Sequence, residues 1–449
     1  MKLPLQISKL DYWVYGLSLA LCFLLFKQSD LTLTNNASFA YFYGHFGDFY
    51  DYNRPLFTGN NYLPAFYWIF AIWNIPLHLL GLTPEIIPET VALSTSVQTI
   101  WSKLLLATFF FASARMLGKI SDQITIYASS VNIDRNGISP KYLFATSPIA
   151  IFAVFIFSGY DIFGVFFILL GIHAYLAKNF KKFILWFSIA ISFKYFAAFV
   201  YLPLVLMIEK RLIYLVLYGL LGVAFSAIQF WLYWHSEAFH FGIFGMISEK
   251  GGGHGVSLRF IFANLVYGVM CLYLYFSKFR FGDNEYAWCQ RTVLVGNLSY
   301  ALLFSWTLWH PQWLILITPF ICLSFLFIRS QKTLLTIEIL GYLGFAIFCI
   351  NNWVGNVDNT MLYAGVFGAV LPQAPMLASD VIGHHWMPLS RTLLYGSLYL
   401  PLIIFGLEQF FKNRQNMPED IGVEKILFNT RFLLASYFFI AISAICLIL

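Results

Sequence analysis

The run His45-Phe46-Gly47-Asp48-Phe49-Tyr50-Asp51-Tyr52-Asn53-Arg54 sets two carboxylates, a histidine and a guanidinium among four aromatic rings. In a chain with 11% charged residues, such a concentration is the first place to look for acid–base chemistry. A general base must reach an acceptor hydroxyl, and a carboxylate at a partly desolvated boundary is suited to that task. If the segment is helical, the spacing of three puts Asp48 and Asp51 on roughly one face. One then acts as the base while the other orients it or binds substrate hydroxyls, with His45, Tyr52 and Arg54 as neighbouring substrate contacts. The plain alternative is an interfacial loop, rich in aromatic rings because it lies at lipid headgroups.

Four further groupings carry possible chemistry. Asp161 and Lys194 fall at the tips of two neighbouring apolar hairpins, where they either pair with each other or bind a ligand; Lys194 would face an anionic phosphate, with Tyr195 stacking beside it and Tyr160 next to the carboxylate. Lys250, His254 and Arg259 surround Gly251-Gly252-Gly253, a glycine run that reads equally as a phosphate-cradling lid or as a merely flexible loop. Trp309-His310-Pro311-Gln312-Trp313 offers a sugar-stacking platform with His310 and Gln312 as hydrogen-bonding groups, or an aromatic-belt turn. Asn36-Ala37-Ser38 matches a glycosylation sequon, a pattern that chance supplies often.

The elements that must position these groups are membrane helices. With 449 residues, 60% hydrophobic, 20% aromatic and a mean hydropathy of +0.73, the chain departs far from soluble composition. Apolar segments near residues 12–26, 99–117, 142–157, 162–177, 183–193, 196–208, 212–232, 258–276, 292–309, 313–328, 334–350, 392–411 and 430–448 read as spans. Several are shorter than the roughly 20 residues of a simple crossing, which leaves about 11 to 13 spans in an all-α bundle. Basic loops place Lys141, Lys178, Lys181, Lys182, Lys210 and Arg211 inside, so residues 142–177 and 183–208 form hairpins. All but seven of the 27 lysines and arginines then lie inside; the seven are Lys27, Arg54, Lys103, Lys194, Lys250, Arg259 and Arg391. Eight of the nine histidines, all but His173, fall on the opposite side and suggest a polar outer chamber. The net charge of +6 follows from the positive-inside bias and does not call for nucleic acid.

The whole chain, 1–449, reads as one integral-membrane domain. Residues 27–98 form a long first outer loop, in which 62–82, with Pro64 and Pro76, lies as a juxtamembrane helix rather than a span. Residues 233–257 are an outer flexible loop, and 351–391 an outer segment that roofs the chamber. The first span carries no cleavage signature behind it, and the six cysteines show neither disulfide nor zinc spacing.

Gly47-Asp48-Phe49-Tyr50-Asp51-Tyr52, Asn61-Tyr62-Leu63-Pro64, Phe193-Lys194-Tyr195-Phe196 and Leu202-Pro203-Leu204, on this architecture, resemble the GT-C superfamily of membrane glycosyltransferases, in particular the group that uses polyprenyl-phosphate sugars and is related to bacterial mannosyltransferases and cell-surface polysaccharide enzymes. The resemblance covers most of the chain. It implies an inverting transfer from a lipid-linked sugar donor to a hydroxyl of a glycan or glycolipid acceptor, on the extracytoplasmic face of a bacterial plasma membrane. The first-loop aspartate that serves as base in such enzymes maps onto Asp48, with Asp51 competing; the donor phosphate would rest on Lys194 with help from Arg259 or Lys250. The larger soluble domain of the metal-dependent oligosaccharyltransferases is missing, so no divalent metal or other cofactor is implied. A transporter or flippase of lipid-linked sugars is the rival reading.

Overall fold

The computed structural model describes residues 8–56, 62–131, 138–252, 258–277, 284–307, 309–410 and 421–449, and among them every regular element is helical. The first part comprises α1 (Lys9–Leu25), α2 (Ser29–Ala37), α3 (Phe49–Asn53), α4 (Pro64–Leu79) and α5 (Ser96–Ser129). The centre holds α6 (Pro140–Ala145), α7 (Pro148–Ile151), α8 (Ile162–Leu176), α9 (Phe180–Phe193), α10 (Ala198–Ile208), α11 (Leu212–Leu232) and α12 (Glu237–Gly252). The last part holds α13 (Leu258–Phe276), α14 (Glu285–Trp306), α15 (Thr318–Ser324), α16 (Gln331–Asn352), α17 (Met361–Ala364), α18 (Ala378–Ile382), α19 (Met387–Phe410) and α20 (Ile421–Ile448).

Five of the described helices are long and apolar enough to cross a membrane, or six if the bent pair at the start of the chain is one span. Each apolar segment read as a span carries helix, but two are broken. Residues 142–157 divide at Thr146-Ser147, where Pro148 restarts the chain as α7 and a π-helical turn. Residues 313–328 open as a 3-10 turn before α15. The segment expected as a flexible loop at 233–257 is instead helical over Glu237–Gly252, with Phe239 buried against Tyr50 and Tyr233. Apolar side chains at 238, 239 and 243 supply the anchoring face that glycine content concealed.

The helix α5 has 34 residues and extends ~50 Å, well beyond a ~30 Å hydrocarbon core. Helix α11 turns Leu212, Ile213, Val216, Leu220 and Trp231 outward, the kind of apolar face that lipid covers. Deeper in the bundle, α8 packs on α9 and α16 on α19. Gly344 lets α16 and α19 meet closely, since a Cβ there would lie 2.6 Å from Ser390 O. Arg431, expected as a cytoplasmic anchor, is fully buried; its Nε lies 2.8 Å from Glu338 Oε2, and its other nitrogens donate to Thr146 Oγ1 and Leu143 O, tying α20 to α16 and α6.

Between α1 and α2 the chain turns by 72°. Such a bend frees backbone carbonyls that need partners; Lys103 meets one of them, and Lys27 ties α2 to α5. Lys103 Nζ donates to Phe26 O and, at 3.1 Å, to Phe155 O; Lys27 Nζ donates to Thr32 Oγ1 at 2.7 Å and Thr99 Oγ1 at 3.1 Å. Both were expected as outer cations in water, and both are buried. Residues 351–391 bond to the same bend: Lys27 N donates to Met361 O and Val366 N to Leu24 O, each at 3.0 Å. Gly365 faces the end of α1 so closely that a Cβ would sit 2.0 Å from Leu25 O. Gly365→Ala is therefore expected to cost about 1–3 kcal/mol through forced backbone movement, read as a lowered thermal midpoint in detergent; an unchanged midpoint would show that this clasp yields freely.

Candidate functional site

Asp161 caps the start of α8 and Lys194 ends α9, so the antiparallel packing of these helices brings the two residues together. Each end suits its charge, because a helix N-terminus favours an anion and a C-terminus a cation. Lys194 breaks α9 by turning extended, at φ −146°, before a 3-10 turn leads into α10. Its Nζ lies 2.6 Å from Asp161 Oδ1, and both side chains are buried. Three rings enclose the ammonium: Trp313 at 4.3 Å, Tyr62 at 5.6 Å and Phe196 at 5.8 Å. Burial pulls the Lys194 pKa down, and the Asp161 carboxylate opposes that fall without cancelling it.

Asp30, in the first turn of α2, is a lesser electrostatic influence on Lys194, Tyr62 and Tyr160, behind burial and, for Lys194, behind Asp161. The 72° bend carries α2 against the residues before α8, where Thr34 meets Tyr160. Burial without an acidic partner among the described residues lowers the Lys27 pKa to about 8. Tyr160 donates or accepts with Thr34 Oγ1 at 2.9 Å, and burial raises the pKa values of Tyr160 and Tyr62 well above the phenolic norm.

A cavity of about 740 Å³ opens beside these groups, within the size range of ligand pockets. Its lining includes Ile191, Val223, Ala227, Phe230 and Trp231 of α9 and α11, together with Lys194, Tyr195, Tyr62 and Trp313. An amphiphile with an apolar tail and an anionic head matches a largely apolar lining that contains one lysine.

The expected site residues divide between two places. Lys194 and Tyr195 line the cavity; behind them Asp161 pairs with Lys194, Tyr160 packs on Tyr62, and Gln312 is buried against Gly159, none of these three lining it. His310 precedes that 3-10 turn, its ring 5.2 Å from Trp313. The opening aspartates lie elsewhere. Asp48 is the exposed residue before α3 and pairs with His45 Nδ1 at 3.0 Å; His45 stacks on Tyr52 at 3.6 Å, and Tyr52 Oη reaches Glu85 Oε1 at 3.5 Å. Asp51 accepts from Ala238 N of α12 at 3.3 Å, and Arg54 lies over Phe241. None of these lines the cavity. The side chains of Lys250 and Arg259, and all of His254, lie outside the described residues.

Asp30, Tyr62 and Thr34 were missed in the sequence. Asp30 is the first acid after the first apolar segment, and topology alone puts it on the same side as Asp161 and Lys194; that ordering was the available signal. Asn36 of the sequon is 1% exposed and donates to Val91 O at 2.9 Å and Leu93 O at 2.8 Å, so its amide is occupied by the fold. No family model, curated protein or solved structure matches this chain.

Proposed function

We propose that this protein is an inverting membrane glycosyltransferase of GT-C type that takes a sugar from a polyprenyl-phosphate donor and passes it to a hydroxyl of a cell-envelope glycan or glycolipid on the outer membrane face. The observation that carries the reading is the apolar cavity that ends at a desolvated Lys194–Asp161 pair with Asp30 nearby. The isoprenoid tail lies along α9 and α11, and the donor phosphate meets Lys194. The acceptor oxygen attacks the anomeric carbon, Asp30 takes its proton, and the bond from that carbon to the phosphate oxygen breaks. The products are a glycoside and free polyprenyl phosphate. A cation held ready for the departing phosphate stabilises charge that grows in the transition state. Asp48, with Asp51 beside it, is the alternative base; both lie on the first loop, outside the cavity lining.

The test is purified protein in liposomes with radiolabelled farnesyl-phosphate sugars and short glycan acceptors. Labelled glycoside and farnesyl phosphate are expected in equal amounts. Absence of transfer from every donor, together with movement of the lipid-linked sugar across the vesicle membrane, would sink the transferase reading in favour of a flippase.

A further inference from the structure

The charge at the head of the cavity is smaller than its lysine suggests. Lys194 contributes one positive charge, and Asp161, 2.6 Å away, balances it with one negative charge. No other lysine or arginine lines the cavity among the described residues, and Asp30 adds a weaker negative influence. The ammonium is nevertheless left with bonding capacity. It has three N–H donors; Asp161 is its acceptor, and two donors have none among the described residues. Tyr62 and Trp313, two of the three rings packed around Nζ, also line the cavity, so the ammonium stands at its wall. Tyr195 lines the same wall and is 40% exposed. Burial and the Asp161 charge push its pKa up to about 12, so its phenol stays a hydrogen-bond donor at neutral pH.

Such a site holds one negative charge better than two. A phosphodiester is singly charged at any working pH, whereas a phosphate monoester loses its second proton at about pH 6. The first charge finds the free N–H donors of Lys194 and the Tyr195 hydroxyl. A second charge finds a lysine that Asp161 already balances, and it meets that carboxylate across a desolvated wall where like charges repel strongly. Its own desolvation also costs more, since the cost of burying charge rises with the square of the charge.

We propose that Asp161 makes the Lys194 head site selective for singly charged phosphate, so that the donor, a phosphodiester, is held and the product, a phosphate monoester, is expelled. The assignment of donor and product rests on the transferase reading; the charge selection does not. In transfer, the electron pair of the broken carbon–oxygen bond stays on the phosphate oxygen, so the phosphate passes from one negative charge to two. The proton released by the acceptor goes to Asp30 and from there to water. Product release then follows from the charge balance of the site.

The experiment measures equilibrium binding to the purified protein in lipid nanodiscs between about pH 5 and pH 8. Farnesyl phosphate and its methyl ester, farnesyl methyl phosphate, are the probes; the ester carries one charge throughout. The ester is expected to bind at least about tenfold more tightly than farnesyl phosphate at pH 8, and equally at pH 5, where both are singly charged. The limit is about a hundredfold, because two pH units above a pKa near 6 leave about 1% of the monoester singly charged. The other ionisable groups around Lys194 are Asp30 of α2, Tyr62, Tyr160, Tyr195 and His310, whose ring lies 5.2 Å from Trp313. Their titration, like that of Lys194 itself, moves both probes alike and cancels in the ratio. Asp161→Asn should bring the ratio at pH 8 close to one, because an unbalanced lysine then meets the second charge; if that variant does not fold, the wild-type ratio decides. A wild-type ratio near one across the range overturns the proposal, as does an ester that does not bind. Sugar transfer without charge selection keeps the enzyme and removes the proposal, whereas charge selection without transfer from any donor keeps the selective site and removes the enzyme.

Discussion

Asp30→Asn is expected to lower transfer by about 10² to 10⁴-fold, the range a positioned general base supplies, with donor binding nearly intact. Asparagine keeps the shape of the side chain and removes its charge, which in the first turn of α2 gains about 0.3–1 kcal/mol from the helix dipole. Single-turnover transfer from bound donor isolates the chemical step. Asp48→Asn is the matched comparison: its carboxylate is exposed and bonded to His45, away from the cavity lining, and its transfer rate should stay within about fivefold of wild type, since a displaced surface contact is worth at most about 1 kcal/mol. A silent Asp30→Asn beside an inactive Asp48→Asn would return the base to the exposed loop.

The second large effect separates structure from function at the ion pair. Lys194→Met leaves Asp161 buried without its cation, and breaking a buried pair in this way costs about 3–5 kcal/mol. Lost activity in that variant alone would say little. Lys194→Met combined with Asp161→Leu removes both charges, and apolar replacement of a whole buried pair is often neutral or stabilising. The double variant is therefore expected to regain the wild-type thermal midpoint while remaining inactive and losing affinity for farnesyl phosphate. Recovery of both stability and transfer would mean that the pair only fastens α8 to α9.

Much of the architecture was legible because its signals are local. An apolar run is apolar wherever it lies, and helix answers the need of every backbone amide in lipid; the apolar segments all carry helix in the folded chain. Flanking lysines folded residues 142–208 into hairpins, which put Asp161 and Lys194 at neighbouring tips, and the structure brings those two side chains into contact. Local signals failed where burial decides. Lys27 and Lys103 look like any cations near an interface, yet Lys103 bonds a carbonyl at a sharp bend and Lys27 bonds hydroxyls of α2 and α5. The glycine run near residue 252 suggested a loose loop, while the apolar residues at 238, 239 and 243 were enough to seat a helix.

By itself, the sequence determined a helical chain rich in membrane-length apolar segments, and a lysine and an aspartate destined for one end of two packed hairpins. It also made the ionisable cluster at residues 45–54 the most conspicuous place for a base, since density of charge is what a linear reading detects. Only the tertiary structure decided that this cluster is exposed and that Asp161, Trp313, Tyr62 and Phe196 converge on Lys194. That convergence depends on the packing of α8 on α9 and a close approach at Gly159. These are contacts between residues far apart in the chain, whose free energy comes from packing and desolvation rather than from any neighbour in sequence.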